Sequence, residues 1–229
     1  IPEGATTRGI AALLHQEGLA ARDRFLALVS DPGFASQVDP EATMLEGYLF
    51  PDTYYLTKGL REETIIEKMV ARFFRAFPIE EEIRARRLGM TRYEIVTLAS
   101  IVEREAVTEE EKPIIAAVFH NRLKRKMLLQ ADPTVLYGRG KSLSPRITYA
   151  DLRSSRNPYN TYVHPGLPPG PIANPGASAL RAVLYPADVG YLYFVSKNDG
   201  THYFSKSFAE HGRAVRRYQL GAGRRAAGG

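Results

Sequence analysis

Two glutamates one residue apart, Glu103 and Glu105, close a stretch in which Ile95, Leu98, Ala99, Val102 and Ala106 recur at steps of three and four. On a helix turning about 100° per residue, Glu105 falls about 20° from Leu98, at the edge of the apolar arc, and Glu103 falls about 140° away. A carboxyl held beside Leu98 and Val102 loses water, and its pKa rises from about 4.3 toward the ~6–7 of a general acid at neutral pH. A helix C-terminus disfavours negative charge and pushes the same way. Two readings of Glu105 stand at this point: a half-buried acid, or a boundary residue paired with an arginine. Glu46 and Asp132 are the next acids, although Asp132 before Pro133 is equally a helix cap or turn starter. The five histidines (His15, His120, His164, His202, His211) share no ligand spacing, so a metal site is not expected. Gly-x-Ser-x-Gly, the phosphate loop and His-Glu-x-x-His are all missing.

The elements that must hold these acids can be read from caps and periodicity. Thr91-Arg92-Tyr93-Glu94 fits a capping box that starts the Glu105 helix, which ends near Ala106. A following helix over 109–126, with Pro113 near its first turn, doubles back with Ile114, Ile115, Val118, Phe119 and Leu123 inward. The first forty residues read as two short helices. Thr6 or Thr7 caps the first, and Asp31-Pro32-Gly33 ends the second, with a soft boundary near Asp39–Pro40. Residues 45–56 are aromatic, proline-interrupted and expected to be extended. Helices are expected over 61–77 and 79–88, and a loop-dominated region over 130–175. A helix over 177–184, strands over 191–195 and 202–204 about Asn198-Asp199-Gly200, and a last helix from Ser207 complete the chain.

Composition bounds the rest. The 229 residues are 44% hydrophobic and 24% charged, which excludes a wholly disordered chain. No apolar run approaches the ~18–20 residues that cross a bilayer. Without cysteine there is no disulfide, thiolate site or catalytic thiol. Of the +6 net charge, five arginines fall between Gly212 and Gly229, and the other 26 basic residues face 25 acids. No basic, aromatic stripe runs through the body, so nucleic acid is not an expected partner. The tail reads as a solvated helix end. Ile1 is not an initiator, and the chain reads as a piece of a longer protein from which targeting information has been removed.

Six blocks then resemble one family. Leu98-Ala99-Ser100-Ile101-Val102-Glu103-Arg104-Glu105-Ala106 resembles the signature of the YceG-like endolytic murein transglycosylases. So do Glu46-Gly47-Tyr48-Leu49-Phe50-Pro51-Asp52-Thr53-Tyr54, Leu129-Gln130-Ala131-Asp132-Pro133-Thr134-Val135, and residues 157–162, 166–172 and 191–195, in the family's order. The resemblance implies an α+β fold: a mainly helical catalytic domain with a small antiparallel β-sheet, preceded by the remnant of a LysM-like subdomain. The domains would be 1–40 (the C-terminal part of that subdomain), 41–218 (catalytic) and 219–229 (a basic flexible tail). Where the family commonly has threonine after the second glutamate, this chain has Ala106, so a hydroxyl there is not essential.

The resemblance makes Glu105 the catalytic residue and implies cleavage of the β-1,4 bond between N-acetylmuramic acid and N-acetylglucosamine, with formation of a 1,6-anhydro end. The expected substrate-binding set is Glu46, Tyr48, Asn121, Gln130, Asp132, Asn160 and Tyr162, with Tyr54 and Tyr159 as further flat faces for sugar rings. Core packing for the tyrosines and a loop-stabilising bond for Asn160 are the competing readings. Implied partners are peptidoglycan glycan strands and penicillin-binding synthases, with no cofactor. The implied location is the bacterial cell envelope, on the outer (periplasmic) side of the cytoplasmic membrane. Contact with the membrane would come only through an N-terminal anchor absent from this chain, leaving the fragment soluble. A hydrolytic muramidase pairing Glu105 with Asp132 or Glu46, and a non-catalytic wall-binding module, are the alternatives.

Overall fold

The computed structural model describes residues 1–140 and 146–220. Arg224 and Arg225 of the basic tail lie outside them. The fold is mainly helical with one two-stranded antiparallel sheet, as expected.

Helix α1 (Thr7–Gln16) is capped by Thr6, whose hydroxyl accepts from the Gly9 N–H at 3.1 Å. Helix α2 spans Arg22–Val29. The Asp31-Pro32-Gly33 triplet ends α2, and it also starts a helix the sequence reading did not foresee, α3 (Pro32–Val38). Asp31 accepts from Phe34 N–H at 2.8 Å and Pro32 fills the first turn, where its missing N–H costs nothing. Residues 45–56 form no strand. Their aromatics serve as core anchors: Tyr48, Leu45 and Leu49 are fully buried, and Tyr48 lies 4.9 Å from Phe73, centroid to centroid. Gly47 makes this entry possible. At φ +92°, a Cβ there would meet Val96 Cγ1 at 2.6 Å and Pro171 Cγ at 2.7 Å.

Helices α4 (Glu62–Ala76) and α5 (Ile79–Arg87) lead to α6 (Arg92–Glu105). Both halves of the Thr91–Glu94 capping box are present. Every residue from Ile95 to Val102 is buried, so α6 is a central helix rather than one with a single apolar face. After a 3₁₀ turn at Glu109–Glu111, α7 (Lys112–Lys124) doubles back, and α10 (Ala177–Leu184) packs on both α6 and α7. Ile114 and Leu123, expected inward on α7, are only half-buried; Ala116, Ala117 and Arg122 are buried with Ile115, Val118 and Phe119. Ile10, Leu14, Phe25 and Val29 from the first forty residues join Ile95, Leu98 and Val102 in one continuous core.

The region expected to be loop holds two short helices, α8 (Asp132–Gly138) and α9 (Tyr149–Arg153). Strands β1 (Tyr193–Ser196) and β2 (His202–Ser205) pair with Phe194 opposite Phe204, and Ser207 caps α11 (Phe208–Val215). Among the described residues, no helix is long and apolar enough to cross a membrane.

Candidate active site

Glu105 is the last residue of α6; the Ala106 N–H still bonds to Val102 O, and the chain then turns away. Its side chain lines a cavity of about 1060 Å³. Arg104 stands beside it. One wall comes from Asp132, Pro133, Leu136 and Tyr137 of α8 and from Pro158, Tyr159 and Ile172; the other comes from Gly4 to Arg8 and Glu46.

The Glu105 residue is half-buried, and desolvation of its carboxyl pushes the pKa up to about 8. The charge of Asp132 pushes in the same direction, while Arg122 and the backbone N–H of Asp132 oppose it. Arg122 is committed elsewhere: its guanidinium donates to Leu192 O at 2.7 Å and to Leu129 O at 2.8 Å. Glu105 is in no ion pair among the described residues. The acid reading of Glu105 therefore fits the geometry better than the arginine-paired reading.

Glu103 is built for a different purpose. Its side chain is only 8% exposed, although the wheel placed it outside the apolar arc. One oxygen lies 3.2 Å from Lys112 Nζ and the other accepts from Gly176 N–H at 3.0 Å. Burial here comes from a lysine on α7 that also reaches Glu109 and Ser178.

The second candidate acid, Glu46, is 2% exposed and lines the same cavity. One of its oxygens accepts from Thr7 N–H (2.8 Å), Thr7 Oγ1 (3.0 Å) and Asn174 Nδ2 (3.0 Å), and the other accepts from the Tyr137 hydroxyl (3.1 Å). Burial pushes its pKa up to about 7 against these bonds. Asp132 is exposed at the start of α8. It is not the cap, a place held by Ala131, and its Oδ1 accepts from the Tyr162 hydroxyl at 2.6 Å. Tyr162 thus touches the site through Asp132.

Several expected substrate contacts need correction. Tyr48 is fully buried and donates to Asp39 Oδ2 at 2.7 Å, so it offers no face to a sugar. Asn160 is fully buried as well. Its amide donates to Asp151 O, Leu152 O and Ser154 O and accepts from Tyr162 N–H, which is the loop-stabilising role. Asn121 donates to Val189 O and Tyr191 O and faces a separate groove with Tyr93, His120 and Leu167. Gln130 is exposed, held at φ 51° by its N–H bond to Thr161 O, but lies off the cavity wall. Tyr54 donates to Phe50 O and is also outside this cavity. Tyr159 does reach it, packed edge-on against Tyr137 at 4.9 Å.

The sequence reading missed Tyr137 and the whole N-terminal wall. Asn174 ties that wall down: Asn174 N–H donates to Ala5 O at 2.9 Å, Gly4 N–H donates to Asn174 O at 3.0 Å, and Asn174 Oδ1 accepts from Gly47 and Leu49 N–H. No short-range pattern signals such a pairing. Among the described residues, no group of three or more His, Asp or Glu side chains is placed to hold a metal ion.

Comparison with known proteins agrees with the blocks quoted above. The YceG-like family model matches residues 1–217. An endolytic murein transglycosylase of Bacillus subtilis strain 168 is 36% identical over 236 residues, covering 95% of this chain and 64% of the relative. One from Streptococcus pneumoniae strain D39 is 35% identical over 242 residues, covering 94% of this chain and 43% of the relative. The chain thus spans less than two thirds of the length of these curated relatives. The crystal structure of a YceG-like protein from Listeria monocytogenes superposes with a TM-score of 0.82 at 38% identity, covering 93% of this chain and 74% of that one.

Proposed function

The chain belongs to the YceG-like family, and on that premise we propose that it is an endolytic murein transglycosylase whose general acid is Glu105. One observation carries this reading: a carboxyl in no ion pair among the described residues stands at a helix end in a cavity of about 1060 Å³, with its pKa pushed up to about 8. Such a group holds its proton at neutral pH and gives it up on demand.

In this reading, Glu105 gives that proton to the glycosidic oxygen between N-acetylmuramic acid and N-acetylglucosamine. The C1–O bond breaks as positive charge spreads over C1 and the ring oxygen. The C6 hydroxyl of the same muramyl unit then bonds to C1, and its proton passes to the Glu105 carboxylate. The 1,6-anhydro ring closes, the acid is regenerated and no water is consumed. Tyr159 supplies a flat face for a sugar ring, and Asp132, held by Tyr162, supplies negative charge near the developing cation. The substrate places the enzyme in the bacterial cell envelope, acting on strands made by penicillin-binding synthases.

The hydrolytic reading keeps one supporting observation, the closeness of Asp132 that raises the Glu105 pKa. There Asp132 would activate a water. Mass spectrometry of digested peptidoglycan decides between them. Transglycosylation leaves anhydro-muramyl ends, and hydrolysis leaves reducing ends one water heavier. Uncut strands would overturn both.

A further inference from the structure

Among the described residues, two arginines that line the Glu105 cavity form no ion pair with a carboxylate. Arg8 lies in the first turn of α1, where the helix dipole disfavours a cation, and Arg104 precedes Glu105 on α6. Both are exposed. Arg104 makes one long hydrogen bond, Nη1 to Gly4 O at 3.5 Å, and the Arg8 side chain makes none among the described residues. Arg8 Nη1 reaches to 3.8 Å from where a Cβ on Gly140 would sit, so its fork extends toward the end of α8. None of the acids that share the cavity forms an ion pair with either arginine among the described residues. The Arg8 charge acts on the Glu46 carboxyl only from beyond ion-pair distance, Glu46 already accepts four hydrogen bonds, Asp132 accepts from Tyr162, and Glu105 holds its proton at neutral pH.

A guanidinium with open N–H groups in a cleft is shaped for a carboxylate, which it can meet with two parallel bonds. We propose that Arg8 and Arg104 form a carboxylate-reading rim that makes the cleft select muramyl polymers over neutral ones; this rests on the transglycosylase reading. Each N-acetylmuramic acid bears a lactyl ether that ends either in its own carboxylate or in a stem peptide carrying carboxylates. N-acetylglucosamine bears neither. The rim therefore adds selection at a distance from the acid without entering bond cleavage.

The test is binding by isothermal titration to Glu105→Gln protein, with and without Arg8→Gln and Arg104→Gln. Three probes are used: a stem-free muramyl glycan, the same glycan with stem peptides, and a neutral N-acetylglucosamine oligomer of equal length. Affinity for the muramyl probes should fall at least about tenfold in the double arginine variant. Affinity for the neutral oligomer should stay within about twofold, and the Arg→Lys pair should recover part of the loss. A loss confined to one muramyl probe identifies the lactyl or the peptide carboxylate as the source. Unchanged muramyl binding, or an equal loss for the neutral oligomer, would overturn the rim. Failure of wild-type protein to cut strands would instead overturn the reaction, and the binding measurements do not depend on cutting.

Discussion

Lys112 Nζ stands 3.2 Å from Glu103 Oε1, with the two side chains only 4% and 8% exposed. This pair separates the two glutamates of the Glu-Arg-Glu triplet: Glu103 is held by a cation, while Glu105, two residues on, is in no ion pair among the described residues.

Replacing Glu105 by Gln should leave the fold intact and cut the rate by about 10²–10⁴, the usual loss on removing a positioned general acid. Turnover of purified peptidoglycan, followed by chromatography of released fragments, measures it. Retained turnover would remove Glu105 from the mechanism.

Glu103→Gln should act on stability instead. It leaves Lys112 buried with Glu109, Ser178 and, at 3.7 Å, Glu3 as remaining partners, a loss of about 1–3 kcal/mol. Urea denaturation checks this, and the activity of the folded fraction should stay near that of wild type.

The raised pKa of Glu105 has a definite sign in stability. The folded state holds the proton more tightly than the unfolded chain, whose glutamates titrate near 4.3. The stabilising contribution is fully present below about pH 4.3 and is lost as the pH rises through about 8. Glu105→Gln should therefore match wild type near pH 4 and exceed it at pH 8, by roughly 1–3 kcal/mol after allowance for water in the cleft. Urea midpoints at the two pH values read the difference. With Glu105 as the proposed general acid, activity should fall over the same alkaline range.

At position 46, size and hydrogen bonding can be separated. Glu46→Ala strands the Thr7 and Asn174 donors and should cost about 2–4 kcal/mol and most activity. Glu46→Gln keeps the oxygen facing those donors, and its amide can meet the Tyr137 hydroxyl, so stability should change by less than about 1 kcal/mol. Thermal melts of both variants settle the ranking.

Two glycines with positive φ form a matched pair. Gly47→Ala places a methyl 2.6 Å from Val96 and should cost about 2–4 kcal/mol, whereas Gly59→Ala meets nothing and should cost about 1 kcal/mol. Equal losses would mean that backbone conformation, not packing, fixes position 47.

What the sequence made legible is local. The Thr91 capping box, the helix from Ala177, the hairpin at Asn198 and the wheel position of Glu105 all rest on residues within a few places of one another. Residue type alone served less well. Tyr48 and Asn160 have the chemistry of sugar-binding groups, but burial gives them core and loop roles, and only tertiary structure decides that. Helix α8 was missed because an Asp-Pro start followed by one and a half turns is too short for periodicity. The N-terminal wall stayed hidden for the opposite reason, since its contacts span most of the chain.

That wall has a consequence for how the molecule comes to exist. The bond from Asn174 to Ala5 joins positions 169 residues apart, and Glu46 reaches both the Thr7 and Asn174 anchors of the wall. Closing so long a loop must precede the reward of its contacts, which makes such pairings slow. During synthesis from the amino end, Glu105 is made long before Asn174 leaves the ribosome. Until then Glu105 has its helix, but the wall that shares its cavity has not yet been tied down.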